Sequence, residues 1–186
     1  MDKILSTRSY GICVFSLETL QDFLKGEKIR SKKLLERFQK DKKLYLDAQK
    51  EGVWIPFVQI NSIDYIIKLD GHDVPFDDGW EQKMEYDGFN IEIKDGLWIS
   101  DIGSFYTFEK SELSGGEGTY KMPYGVTRGF SEKERFFQSS DGHRLYSDFK
   151  YDVPAGKYLL SIKGYARSRR WSDRIPTMVF SFLSKR

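Results

Sequence analysis

The chain has 186 residues, 39% hydrophobic and 16% aromatic, with a formal net charge of +2 and a single cysteine. That apolar mass suits one ordinary domain spanning 1–186 and excludes a disordered tail, while a lone Cys13 excludes an internal disulfide framework. The chain carries no signal-peptide pattern and no run of about 20 apolar residues, so a soluble, cytoplasmic protein is expected.

Taken in order, Ser9–Phe15 is β-rich and reads as a first strand, with Cys13 as a buried thiol in the run Ile12-Cys13-Val14-Phe15. Ser16 is a candidate N-cap for a short helix that puts Leu17, Leu20, Phe23 and Leu24 on one face and stops at Gly26. A second helix is predicted from about Ser31 to Lys50, with Leu34, Leu35, Phe38, Tyr45 and Ala48 as its apolar stripe and lysines on its solvated face. These two helices form an elaboration over about 16–51. From Val53 the period changes to two. Trp54–Ile60 and Ile63–Leu69 read as strands, and Pro56 assigns the first to a sheet edge. Phe89–Asp101 reads as a hairpin with the three-residue loop Lys94-Asp95-Gly96, Gly96 left-handed. That register puts Ile91, Ile93, Leu97 and Ile99 on one core face. Ser104–Phe108 is expected to continue the meander. His143–Val153, Lys157–Ala166 and Thr177–Leu183 are further strands, with Pro154-Ala155-Gly156 as a turn. The pattern predicts a mostly β chain with α elaboration (α+β), an antiparallel β-sandwich of about nine strands carrying two N-terminal helices.

The small net charge conceals three blocks. Residues 25–43 hold nine basic and three acidic residues, 64–118 hold four basic and fourteen acidic, and 163–186 hold seven basic and one acidic. Opposed patches of this kind steer charged partners. Within the acidic block, Asp70–Glu81 combines Asp70, Asp73, Asp77, Asp78 and Glu81 with Trp80. A calcium loop of the EF-hand type does not fit, because a frame from Asp70 puts Val74 fifth and Pro75 sixth, and a frame from Asp73 puts Pro75 third. A ring that supplies buried area beside carboxylates that attract a basic partner is an interface constellation. Asp73, Asp77, Asp78, Trp80 and Glu81 are therefore the candidate partner-binding residues.

Arg167, Arg169, Arg170, Trp171 and Arg174 form a second cluster between two predicted strands. They could hold phosphates while the ring stacks on a base, or pair with the acidic middle of the chain. Both histidines occur in Asp-Gly-His tripeptides (70–72 and 141–143). A strand-end turn explains each, and the alternative is that His72 and His143 meet as metal ligands or a general base. Trp98, Tyr106 and Tyr120 are candidate stacking platforms for a carbohydrate. No nucleophile elbow, phosphate loop, dinucleotide fingerprint or zinc-ligand spacing is present, so no catalytic, metal or cofactor site is assigned and a non-enzyme is expected.

The phrase Phe149-Lys150-Tyr151-Asp152-Val153-Pro154-Ala155-Gly156-Lys157-Tyr158 resembles the strand–turn–strand ending of small bacterial β-sandwich proteins, among them the competence nuclease inhibitor family. The resemblance covers about a dozen residues and implies a cytosolic immunity or inhibitor protein that blocks a toxic enzyme; no inhibitory residue transfers with it. The leading expectation is thus a non-enzymatic protein that binds a basic toxin or nuclease. A carbohydrate-binding sandwich and a nucleic-acid-binding protein using Arg167–Arg174 are the alternatives.

Overall fold

Strand is the main secondary structure of the described residues. The computed structural model describes residues 3–69, 79–108, 117–167 and 177–184, with Arg167 and the last strand described through their backbone. The strands are β1 (Ile4–Ser6), β2 (Gly11–Phe15), β3 (Trp54–Val58), β4 (Asp64–Leu69), β5 (Trp80–Ile93), β6 (Leu97–Asp101), β7 (Gly118–Lys121), β8 (Thr127–Phe130), β9 (Glu134–Gln138), β10 (Arg144–Tyr151), β11 (Gly156–Arg167) and β12 (Thr177–Ser184). Three helices, α1 (Leu17–Gly26), α2 (Leu34–Lys40) and α3 (Lys42–Lys50), separate β2 from β3.

Hydrogen bonds join these strands in one sheet. Nine follow the order β3-β2-β6-β10-β1-β4-β12-β11-β5, and β9, β8 and β7 branch from β10 as a three-stranded arm. Pairing is antiparallel except for β1 with β10 and β4 with β12. Two facing sheets were expected; one continuous, curled sheet is observed. The difference arises at the connections. The 94–96 loop has the expected form, with Gly96 at φ 103°, and Ile91, Ile93, Leu97 and Ile99 all enter one core. Yet β5 pairs with β11 while β6 pairs with β2 and β10, so the loop turns a corner between strands that are not neighbours.

The concave side of the sheet holds the first core, with Leu5, Val14, Ile67, Ile93, Phe149 and Ile162 among its members. Curling brings the two ends of the path, β3 and β5, side by side: Phe57 lies edge-on to Phe89 at 5.4 Å and the Glu92 N–H donates to the Gly52 carbonyl at 3.0 Å. Gly52 is required there. Its φ is +70° and a Cβ would fall 2.8 Å from the Asn90 carbonyl oxygen. Pro56 explains why the seam does not zip into a full ladder. It pairs with Cys13 and has no N–H, so the alternation of antiparallel pairs turns its missing donor toward the free edge of β3. The edge position expected for this strand is the one observed.

On the convex side, α1, α2 and α3 cover β2, β3 and β6. Phe15, Trp54, Trp98, Phe38 and Phe105 are fully buried there, each contributing about 2–3 kcal/mol of apolar burial. The single long helix expected over 31–50 breaks at Asp41 (φ −119°, ψ 88°), whose carboxylate accepts from the Leu44 N–H at 3.1 Å and so caps α3. The lysine-rich face is solvated and internally paired through Lys40–Glu36 and Lys43–Asp47 at i,i+4. Ser16 stands at the start of α1, but its hydroxyl donates to Asp95 Oδ1 (2.6 Å), and Asp95 accepts from the Glu18 N–H instead. Ser104–Phe108 does not extend the meander. Ile102–Phe105 is a 3-10 turn, and Phe105 and Phe108 pack into the helix-covered core. Among the described residues no helix is long and apolar enough to cross a membrane.

Candidate functional site

Of the acidic candidates, Trp80 and Glu81 lie within the described residues; Asp73, Asp77 and Asp78 fall outside them. Trp80 and Glu81 open strand β5 instead of closing a loop. Glu81, Gln82, Lys83, Glu85, Tyr86 and Asp87 are all exposed, so both faces of this first half of β5 meet solvent. The Lys83 ammonium pairs with Glu81 and Lys163 pairs with Glu85 at 3.4 Å. Trp80 is the register partner of Arg167, the residue from which the arginine-rich segment departs. The acidic and arginine-rich segments therefore border one strand pair, although they lie far apart in sequence. Arg169, Arg170, Trp171 and Arg174 fall outside the described residues, as does His72, so a meeting of the two histidines does too. His143 is exposed in a turn in which Asp141 Oδ1 accepts its backbone N–H at 3.3 Å, and Gly142 is left-handed. This is the strand-end turn the tripeptide suggested. Among the described residues no group of three His, Cys, Asp or Glu side chains is arranged to hold a metal.

The carbohydrate candidates separate. Trp98 lies on the opposite face from Leu97 and Ile99, as the register required, but the helices cover that face and it is fully buried. Tyr106 and Tyr120 are exposed.

One cross-strand row escaped the sequence reading. Register partners run from β7 to β3 as Gly118, Phe130, Arg135, Asp148, Ser100, Cys13 and Pro56. Its centre is polar and closed to solvent. Arg135 donates through Nε to Asp148 Oδ2 (2.8 Å) and through Nη2 to Asp148 Oδ1 (2.7 Å), with side-chain exposures of 3% and 0%. The Ser100 hydroxyl donates to Oδ1 and the Ser147 hydroxyl to Oδ2. The carboxylate therefore has four donors, the number a buried carboxylate requires. A bulge at Ser147 makes the row possible. The register slips between Tyr146 and Asp148, so Tyr146 and Phe149 both face the concave core while Asp148 turns to the convex side. A bulge leaves no fixed pattern in a single sequence, which is why the row was not foreseen.

Two further ionisable groups belong here, Cys13 within the row and Asp101 beside Ser100. Burial pushes the Cys13 thiol well above its usual range, so it is held as an unreactive, protonated core group. Burial also raises the Asp101 carboxyl to about 6, against the backbone N–H groups of Gly103, Ser9 and Arg8 that favour its charged form; Asp148 adds to the rise. One carboxylate oxygen of Asp101 has no hydrogen-bond partner.

The arm carries the opposite character. The β7–β8 hairpin closes through the Met122 N–H to the Val126 carbonyl at 2.7 Å. Tyr124 at its tip is 100% exposed and sits at φ 64°, a left-handed conformation that costs a side-chain-bearing residue energy. Tyr120 and Met122 on the same hairpin are also exposed. Elsewhere, a cleft of about 670 Å³ opens where α1 and α3 meet β5 and β11. Its walls carry charges of both signs that pair across it, Asp22 with Lys94 at 2.7 Å and Glu92 with Lys157 at 4.0 Å, so it favours no sign of ligand.

No family model matches the chain, and no curated protein or solved structure matches it either.

Proposed function

We propose that the chain is a non-enzymatic protein-binding protein of the inhibitor or immunity kind, acting in the cytoplasm on a basic toxin or nuclease through the acidic, Trp80-anchored segment. The observation that carries this reading is the first half of β5. It stands exposed on both faces, begins with Trp80 and Glu81, and directly follows the densest run of carboxylates in the sequence. An exposed ribbon with an aromatic anchor and surrounding acids fits a surface that recognises a cationic protein. The interior supports the same reading. Among the described groups that resemble catalytic ones, Asp148 and Arg135 hold each other, and Cys13 is buried and protonated.

The test is capture of a partner on the immobilised chain, followed by association kinetics of the purified pair over a salt series. Replacing Asp73, Asp77 and Asp78 with Asn and Glu81 with Gln should slow association and flatten its salt dependence. Trp80→Ala should mainly speed dissociation, by about tenfold or more. Unchanged affinity and salt slope in both variants would overturn the assignment.

A further inference from the structure

The convex face of the β7–β9 arm combines rings and guanidinium groups in one place. Tyr120, Arg128 and Phe137 are direct register partners on three adjacent strands, so their side chains rise from the same face at strand spacing. Arg8 lies over the Phe137 ring at 5.1 Å. The Phe130 ring, two residues from Arg128 and on the same face, stacks on Tyr120 at 5.7 Å and 23°. That stack needs Gly118 opposite Phe130, because a Cβ there would come within 2.9 Å of the ring. Met122, two residues beyond Tyr120, continues the face toward the hairpin tip. Within the three arm strands as described, the carboxylate is Glu134, and it belongs to the opposite face, where it pairs with Arg144 at 3.1 Å and Lys3 at 3.3 Å. The register rows through Tyr120 and Phe130 thus contain three aromatic rings, two of them stacked on each other, together with Arg128 and the buried Arg135, whose pair with Asp148 closes the inner end. Tyr120 and Arg8 are exposed, so the outermost ring and the outermost guanidinium are open to a ligand.

We infer that this face binds single-stranded nucleic acid, with bases stacking on Tyr120 and on the Arg8–Phe137 pair and with Arg8 and Arg128 meeting phosphates. The chemistry is general. Every base presents a π face to an aromatic ring or a guanidinium plane, and arginine contacts a phosphate with two parallel hydrogen bonds. A duplex keeps its bases stacked inside and cannot use the rings, so the site selects single strands. The inference stands on the arm alone and does not depend on the acidic segment or on the protein-binding reading.

The test uses the whole chain and four fluorescent probes: fifteen-residue oligo-dT, fifteen-residue oligo-U, a fifteen-base-pair DNA duplex and a fifteen-residue polyglutamate, each followed by anisotropy over a salt series. The expected result is binding of the two single strands with log K falling against log salt with a slope of about −1.4 for two phosphates. Tyr120→Ala should weaken them about tenfold or more with little change in slope, and Arg128→Gln should reduce the slope by about 0.7. Tyr120 is exposed, so its variant folds; circular dichroism checks this for both. The variant with Arg169, Arg170 and Arg174 all changed to Ala should bind as well as the wild type. Loss of binding in that triple variant with full binding in Tyr120→Ala would move the site to the arginine-rich segment and overturn the inference. Equal affinity for the duplex, tighter binding of polyglutamate than of either oligonucleotide, or no binding of any probe at low salt would overturn it as well.

Discussion

Removing Arg135 should damage the fold more than removing almost any other charged residue. The Arg135→Met change keeps most of the side-chain volume and deletes both charge-assisted hydrogen bonds to Asp148, at 2.8 and 2.7 Å. Asp148 is left fully buried with only the hydroxyls of Ser100 and Ser147 as side-chain donors. Breaking one side of a buried pair costs about 3–5 kcal/mol, because the remaining charge stays out of water without its partner. Native domains are stable by about 5–15 kcal/mol, so the loss is a large fraction of the total. For a chain of this size each kcal/mol moves the melting temperature by about 2–4 °C, so a fall of roughly 6–20 °C is expected. Urea unfolding followed by circular dichroism, with slopes compared to confirm two-state behaviour, gives the free energy directly. The double variant Arg135→Met/Asp148→Leu removes both charges and should recover most of the loss, to within about 1 kcal/mol of the wild type or better. A single variant that loses less than 1 kcal/mol, or a double variant no more stable than the single, would refute the view that the pair is closed to water and mutually dependent.

Asp101 gives the fold a pH dependence of definite sign. Its folded-state carboxyl is raised from 3.8 to about 6, so the native state holds the proton more tightly than the unfolded chain. Its contribution is greatest below the unfolded value and is lost as pH rises through the folded one. Stability should fall by up to about 3 kcal/mol from this group between pH 4 and 6, and Asp101→Asn should abolish that slope; unfolding curves with the same slope in both proteins would contradict this. Asp41→Ala removes the cap of α3 and should cost about 1 kcal/mol, read as a matching shift of the urea midpoint.

Much of the strand pattern was legible in the sequence because period two follows from burial on one face. Ile91, Ile93, Leu97 and Ile99 reached the core as the alternation required, and Pro56 lies on an edge because it has no donor for a second neighbour. Pairing was harder to read, since it depends on which distant strand meets which. The 94–96 loop has hairpin chemistry, yet Asp95 is committed to Ser16 and the start of α1, and the two strands it joins turn to different partners. Trp98 illustrates the limit of facing arguments: alternation gave its face correctly, but not the helices that cover it. The short β1 was missed because three residues carry too little pattern, and the Asp41 break was hidden inside a continuous apolar stripe.

The polar row helps explain how the arm keeps its position. Among the described strands β7 and β8 pair only within the arm, and β9 connects it to the rest of the sheet through β10. The first core includes no residue of the three arm strands, so apolar burial there fixes their register weakly. A slip of one residue along β10 would turn every arm side chain to the other face. The Arg135–Asp148 pair penalises that slip, because any other register buries two unmatched charges. The bulge at Ser147 serves the same end, since it fixes where the facing of β10 reverses. An apolar pair at these two positions could match the stability and would not penalise the slip. That is a physical reason for an ion pair where leucine and methionine would pack equally well: it holds Tyr120, Arg128 and Phe137 on the face where the arm presents them.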